Sequence, residues 1–163
     1  MFDVVNRHRY SVEHFEALKG RGAVGYLAQF VAAAQLVESF DRSLHDDQGR
    51  RGLDARLRRL SGETGGVLDE IIGHKRWGKH VARVRDIVVH GLDTSEQLTR
   101  DVRSIQVATD ILLLLFEARL LVEFGFDTSK AKALIERRLK HWEIKANITQ
   151  NYGHLEEISR RDE

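Results

Sequence analysis

The chain has 163 residues, 42% hydrophobic and 31% charged, which suits one domain spanning 1–163 with a core of its own. It has no cysteine, which excludes a disulfide framework and thiolate metal sites, and no proline, where average usage of about 5% leads one to expect roughly eight. A net charge of +1, with 26 basic residues against 25 acidic and eight histidines, gives no broad basic footprint. Any nucleic-acid contact must then come from local patches.

In chain order, residues 1–22 are mixed, with Gly20 and Gly22 closing a short apolar-polar segment. The spacing predicts a strong helix over 23–45, in which Tyr26, Phe30, Ala33, Val37, Phe40 and Leu44 make a continuous buried stripe. The run Asp46-Asp47-Gln48-Gly49 breaks it. Leu53, Leu57 and Leu60 stand at helical spacing among arginines up to Gly62, and Gly65-Gly66 precede a short apolar piece that stops at Gly73. A further helix places Trp77, Val81, Val84 and Val88 on one stripe, with Gly91 where a left-handed C-terminal cap belongs. Thr94-Ser95-Glu96-Gln97 offers a capping box for the next helix, expected to run to Phe124 and stop at Gly125. Its stretch Ile111 to Phe116 is apolar on nearly all faces, which makes it the central helix. That run is far shorter than the ~20 residues of a membrane span. Asp127 caps a last long helix with a stripe of Ala131, Ile135, Leu139 and Trp142, and the polar end from Gly153 is expected to fray. The sum is an all-α antiparallel bundle of four to six helices, its core within 23–145 and its termini peripheral.

The chemistry concentrates in Arg85-Asp86-Ile87-Val88-Val89-His90-Gly91. Histidine titrates near neutral pH and can move a proton from a 2'-OH or to a leaving 5'-oxygen. A guanidinium, always charged, can bind two phosphate oxygens where a phosphorane gains negative charge. Asp86 and His90, four apart, share a helix face and suit an i, i+4 ion pair near a helix end. Arg85 lies about 140° round from His90, too far to meet it on one phosphate within a straight helix. The basic run from His74 to His80, with Arg83 following, offers Lys75, Arg76, Lys79 and Arg83 as contacts for an RNA backbone, or simply as a solvated face over a core Trp77. Arg50, Arg51, Arg56, Arg58 and Arg59 form a second candidate RNA surface. The histidines show no metal spacing with nearby carboxylates, so no metal site and no cofactor are expected.

The R-x4-H arrangement of Arg85 and His90 resembles the signature of the HEPN superfamily, many of whose members are metal-independent ribonucleases. With Gln35-Leu36-Val37-Glu38-Ser39-Phe40-Asp41 ahead of a basic segment and then the "RDIVVHG" element, residues 24–145 look like the carboxy-terminal HEPN domain of the ApeA antiphage family. The amino terminus carries no basic-then-apolar signal pattern, so a cytoplasmic protein is expected. The resemblance implies an RNA-cleaving homodimer with a composite cleft and a role in abortive defence against phage, the substrate being RNA, with structured RNA such as tRNA a candidate. In it His90 is the acid/base, Arg85 the phosphate clamp and Asp86 an orienting group. Glu38, at the edge of the apolar row Leu27, Val31 and Ala34, is a candidate to orient Arg85 or His90, or an ordinary boundary carboxylate. An amino-terminal sensor domain or an antitoxin, neither within these 163 residues, would complete such a system. The alternative is a noncatalytic HEPN module that binds nucleotide or a partner protein and keeps the motif as an interface ion pair.

Overall fold

A computed structural model describes residues 6–19, 25–46, 51–90, 102–141 and 144–160. Among these the chain is all-helical: α1 Arg9–Lys19, α2 Tyr26–His45, α3 Leu53–Glu63, α4 Val67–Ile72, α5 Trp77–His90, α6 Val102–Glu123, α7 Thr128–His141 and α8 Ile144–Arg160.

Apolar spacing accounts for most of this. Phe30, Ala33, Val37 and Phe40 put one stripe of α2 wholly inside, while Tyr26 at its first turn remains about half exposed. Asp46 closes α2 in a left-handed conformation, φ 46°, with its N–H on the Arg42 carbonyl. Leu53, Leu57 and Leu60 bury the matching face of α3. The six residues of α4 are bracketed by Gly66 and Gly73, both left-handed at φ 71° and 75°, conformations that side chains with a Cβ resist. Trp77, Val81, Val84 and Ile87 bury the inner face of α5. The expected caps at Gly91 and Thr94–Gln97 lie outside the described residues.

Helix α6 is the axis of the molecule. Buried side chains occur round its whole circumference from Ser104 to Leu120, and it packs most extensively against α8 and α2. Asp110, buried within it, accepts a hydrogen bond from Asn147 Nδ2 at 2.9 Å. The chain leaves α6 through Gly125, φ 88°, and Asp127 starts α7 by accepting the Lys130 N–H at 2.8 Å.

Both ends of the chain depart from expectation. The segment before Gly20 forms α1, which adds Phe15 and Leu18 to the core. The end expected to fray from Gly153 is instead the second half of α8, where Ile148, Tyr152, Leu155 and Ile158 recur at +4, +3 and +3 and are all buried. The physical reason is that this stripe is narrow and interleaved with Asn, Gln and Glu, so the mean polarity hides the periodicity. The single last helix is thus two, and the core extends past both limits of 23–145. Among the described residues no helix is long and apolar enough to cross a membrane.

Candidate functional site

Two groups of side chains stand out on α5. The first is built on Arg85, four-fifths buried against α2. Its Nη2 donates to Glu38 Oε1 at 3.1 Å and its Nη1 meets Asp86 Oδ1 at 2.9 Å. Glu38 in turn reaches Arg42 through its other oxygen at 3.6 Å. Arg85 Nε is buried and has no partner. His90, in the last turn of α5, is exposed. Three of the four candidate catalytic residues, Arg85, Asp86 and Glu38, therefore form one cluster, while His90 points away from Arg85, as the 140° offset requires.

The second group is a cationic groove of about 330 Å³ between α5 and α8. The turn before α5 supplies Lys75 and Arg76, and α5 itself supplies Lys79 and Arg83. All four residues anticipated as RNA contacts thus line one groove. Its opposite wall comes from Glu156, Ser159 and Arg160 at the end of α8. Arg160 and Glu156 form an i, i+4 ion pair across one turn. Five cations face one carboxylate here, so the groove suits a polyanion.

Two groove residues, His74 and His80, rest on Tyr152 of α8. His80 Nδ1 lies 2.8 Å from the Tyr152 hydroxyl, and the His74 ring stacks on Tyr152 with centroids 4.1 Å apart. Burial lowers the His80 pKa below its ordinary 6.5, and burial pushes the Tyr152 hydroxyl well above its usual value. His80 is therefore neutral near pH 7, and the protonated hydroxyl can donate to it. Sequence reading missed the α8 wall and Tyr152. The signal that could have found them was the Ile148-Tyr152-Leu155-Ile158 stripe: Ser159, four residues after Leu155, extends it and is itself buried, and Glu156 and Arg160 lie along one edge of it.

Arg83 and His90 are seven residues apart, within about 20° of one face and roughly 10 Å along the helix axis. The cationic groove and His90 thus share the outer face of α5, with Asp86 between them at three residues from one and four from the other.

The second basic group is divided: Arg56 and Arg59 turn inward, Arg51 and Arg58 are exposed, and Arg50 lies outside the described residues. Arg56 is 1% exposed and donates to the fully buried Asp41 at 2.6 Å, and Arg59 Nε donates to the same carboxylate at 3.0 Å. Arg58 is exposed and pairs with Asp54 on its own helix. The ionic chain continues toward the surface: His45 Nε2 meets Glu63 at 2.6 Å, and Glu63 accepts from Arg119 Nε at 2.8 Å. Burial pushes the Glu63 carboxyl up, but these bonds from Arg119 and His45 outweigh it and hold it below its ordinary range. Among the described residues no three histidine or carboxylate side chains cluster as metal ligands.

No family model, no curated protein and no solved structure matches the chain. The likeness to HEPN domains rests on the residues of the motif and of α2 alone.

Proposed function

We propose that the chain is an endoribonuclease of the HEPN type that cleaves without a metal and acts as a homodimer in antiphage defence. The observation that carries this reading is the outer face of α5, where Lys75, Arg76, Lys79 and Arg83 gather in one groove whose line continues through Asp86 to the exposed His90. An RNA strand laid along that face has phosphates on the cations and a ribose 2'-OH within reach of the His90 imidazole, whose ring nitrogens can accept and return a proton. His90 takes the 2'-OH proton and returns one to the leaving 5'-oxygen, giving a 2',3'-cyclic phosphate and a 5'-hydroxyl. Arg85 clamps the phosphorane, and Glu38 with Asp86 holds its guanidinium in place until a phosphate competes for it. Arg85 and His90 of one helix diverge, so the clamp for each His90 comes from a second copy across a two-fold axis.

One observation favours a second reading. Arg85 already holds two carboxylates, which suits a noncatalytic bundle that binds RNA, nucleotide or a protein partner and keeps Arg85 as a structural pair.

Incubation of purified protein with total RNA in EDTA, with mapping of the ends, separates the two. Cuts that leave 2',3'-cyclic phosphates, and that disappear in His90→Ala and Arg85→Ala chains of unchanged helicity, are expected. Loss of all cutting in chelator with recovery in magnesium rejects the metal-independent mechanism. Binding without cutting selects the second reading.

A further inference from the structure

The ridge formed by Lys75, Arg76 and Lys79 has a second hollow on its other side. This cavity, about 470 Å³, lies against α3 and the start of α5 and is lined by the same three cations together with Asp54, Ser61, Asp69 and Trp77. Its volume falls in the range of small-ligand sites and exceeds what one nucleobase requires. A strand whose phosphates sit in the cationic groove therefore has a hollow for a base immediately across the ridge.

The lining is chemically specific. Ser61 is 4% exposed and its hydroxyl oxygen is buried without a partner. That is unusual within this protein, where Ser39, Ser43 and Thr109 each donate to a backbone carbonyl three or four residues back in their own helix. A buried hydroxyl left unpaired in a native fold calls for an explanation, and a ligand that supplies the missing bond is one. The two carboxylates are each engaged through a single oxygen. Asp69 Oδ1 accepts from Trp77 Nε1 at 2.6 Å, and Asp54 Oδ2 accepts from Arg58 at 2.6 Å. Gly78 keeps the approach to Asp54 open, since a Cβ there would stand 3.4 Å from Asp54 Oδ1. Each carboxylate thus has an oxygen left to accept a hydrogen bond, and an ionised carboxylate can do nothing but accept.

We propose that this cavity receives one base of the bound RNA strand and reads it through Asp54, Asp69 and Ser61. Acceptors select donors, so the base favoured is one with a two-donor exocyclic amino group to share between acceptors, as cytosine, adenine and guanine have, whereas uracil offers only its single ring N3–H. The inference rests on the RNA reading given above and adds to it a specificity determinant remote from Arg85 and His90.

The test is fluorescence anisotropy with labelled short 2'-O-methyl oligonucleotides, which lack the hydroxyl needed for cleavage, comparing oligo(C) and oligo(A) with oligo(U). The wild-type chain is expected to bind oligo(C) or oligo(A) roughly tenfold more tightly than oligo(U). Ser61→Ala and Asp69→Asn should each reduce that ratio, Ser61→Ala with an unchanged melting temperature, and Asp69→Asn, which removes a negative charge beside three cations, with tighter binding of every strand. Equal binding of all three strands, unaltered by Ser61→Ala, overturns the base pocket and leaves the RNA reading standing. A preference that survives both substitutions also overturns it, because the base is then read elsewhere. Failure to bind any of the strands overturns both readings.

Discussion

Replacement of Asp41 by asparagine isolates the electrostatic cost of the buried arginine. Asp41 is fully inside, and Arg56, 1% exposed, donates to it at 2.6 Å. Asparagine keeps the shape but removes the charge, so a guanidinium with no route to water loses its counter-ion. Breaking a buried pair from one side costs about 3–5 kcal/mol, a large share of the ~5–15 kcal/mol that holds a typical domain together. For a chain of this size each kcal/mol moves the melting temperature by about 2–4 °C, which puts the expected fall at roughly 6–20 °C. Urea titration followed by far-ultraviolet circular dichroism gives the free energy, and an unchanged denaturant slope would confirm that native and unfolded ensembles keep their compactness. Arg58→Ala, which removes an exposed partner of Asp54, is the internal control and should cost about 0.5 kcal/mol or less. Joint replacement of Asp41 by leucine and Arg56 by methionine should recover part of the loss, because the deepest charge is then gone, while Arg59, 18% exposed, still loses the same carboxylate. A cost below about 1 kcal/mol for Asp41→Asn would refute the argument, since it would mean that Arg56 reaches solvent.

Tyr152→Phe removes the hydroxyl that pairs with His80 Nδ1, and leaves a buried ring nitrogen unsatisfied; a loss of about 1–2 kcal/mol by equilibrium denaturation is expected, and no change would show that water replaces the bond. Burial holds the pKa values of both His8 and His80 below 6.5, so below that pH the unfolded chain binds more protons than the folded one. Their stabilising effect is then complete above pH 6.5 and is lost as pH falls beneath it. The urea midpoint should drop between about pH 7.5 and about pH 5.5, and His80→Gln should flatten the drop; a midpoint constant across that window contradicts it. Mixing inactive Arg85→Ala with inactive His90→Ala chains should restore part of the RNA-cleaving activity if one copy supplies the clamp and the other the acid/base, whereas a chain fully active as a monomer excludes that arrangement.

The interior was largely legible in the sequence where apolar residues recur without interruption. The stripe from Phe30 to Phe40, the trio Leu53, Leu57 and Leu60, and the all-round burial of α6 follow from periodicity alone. Asp127 as a cap and Gly66 and Gly73 as limits of α4 follow from local backbone chemistry. Helix α8 was not legible, because its four buried residues are spread through a segment whose average is polar, and only the partner surface of α6 decides their burial. The same holds for charge. Nothing in the order of Arg56, Arg58 and Arg59 separates the one that is buried from the one that is exposed; a carboxylate fifteen residues earlier on α2 makes that choice. At the site, Lys75, Arg76, Lys79 and Arg83 could be named from the sequence because they are neighbours in it, and Glu38 beside Arg85 was anticipated from its place at the edge of an apolar row. Arg160 and Tyr152 come from the far end of the chain, and the sparse stripe that carries them is the one signal the sequence holds for them.

The inward pairing of Glu38, Asp41, Glu63 and Glu123 has a consequence for how the molecule meets other molecules in solution. Carboxylates turned toward arginines inside the bundle contribute little to the potential outside, so a net charge of +1 understates the asymmetry of the surface. The α5–α8 groove gathers five cations against one carboxylate, so its local potential is positive. A polyanion close to it is drawn toward the groove before contact, and the rate of encounter gains accordingly. Such steering is screened within about 10 Å at 0.1 M salt, so encounter should slow steeply as ionic strength rises, although the charge of the whole chain is close to zero.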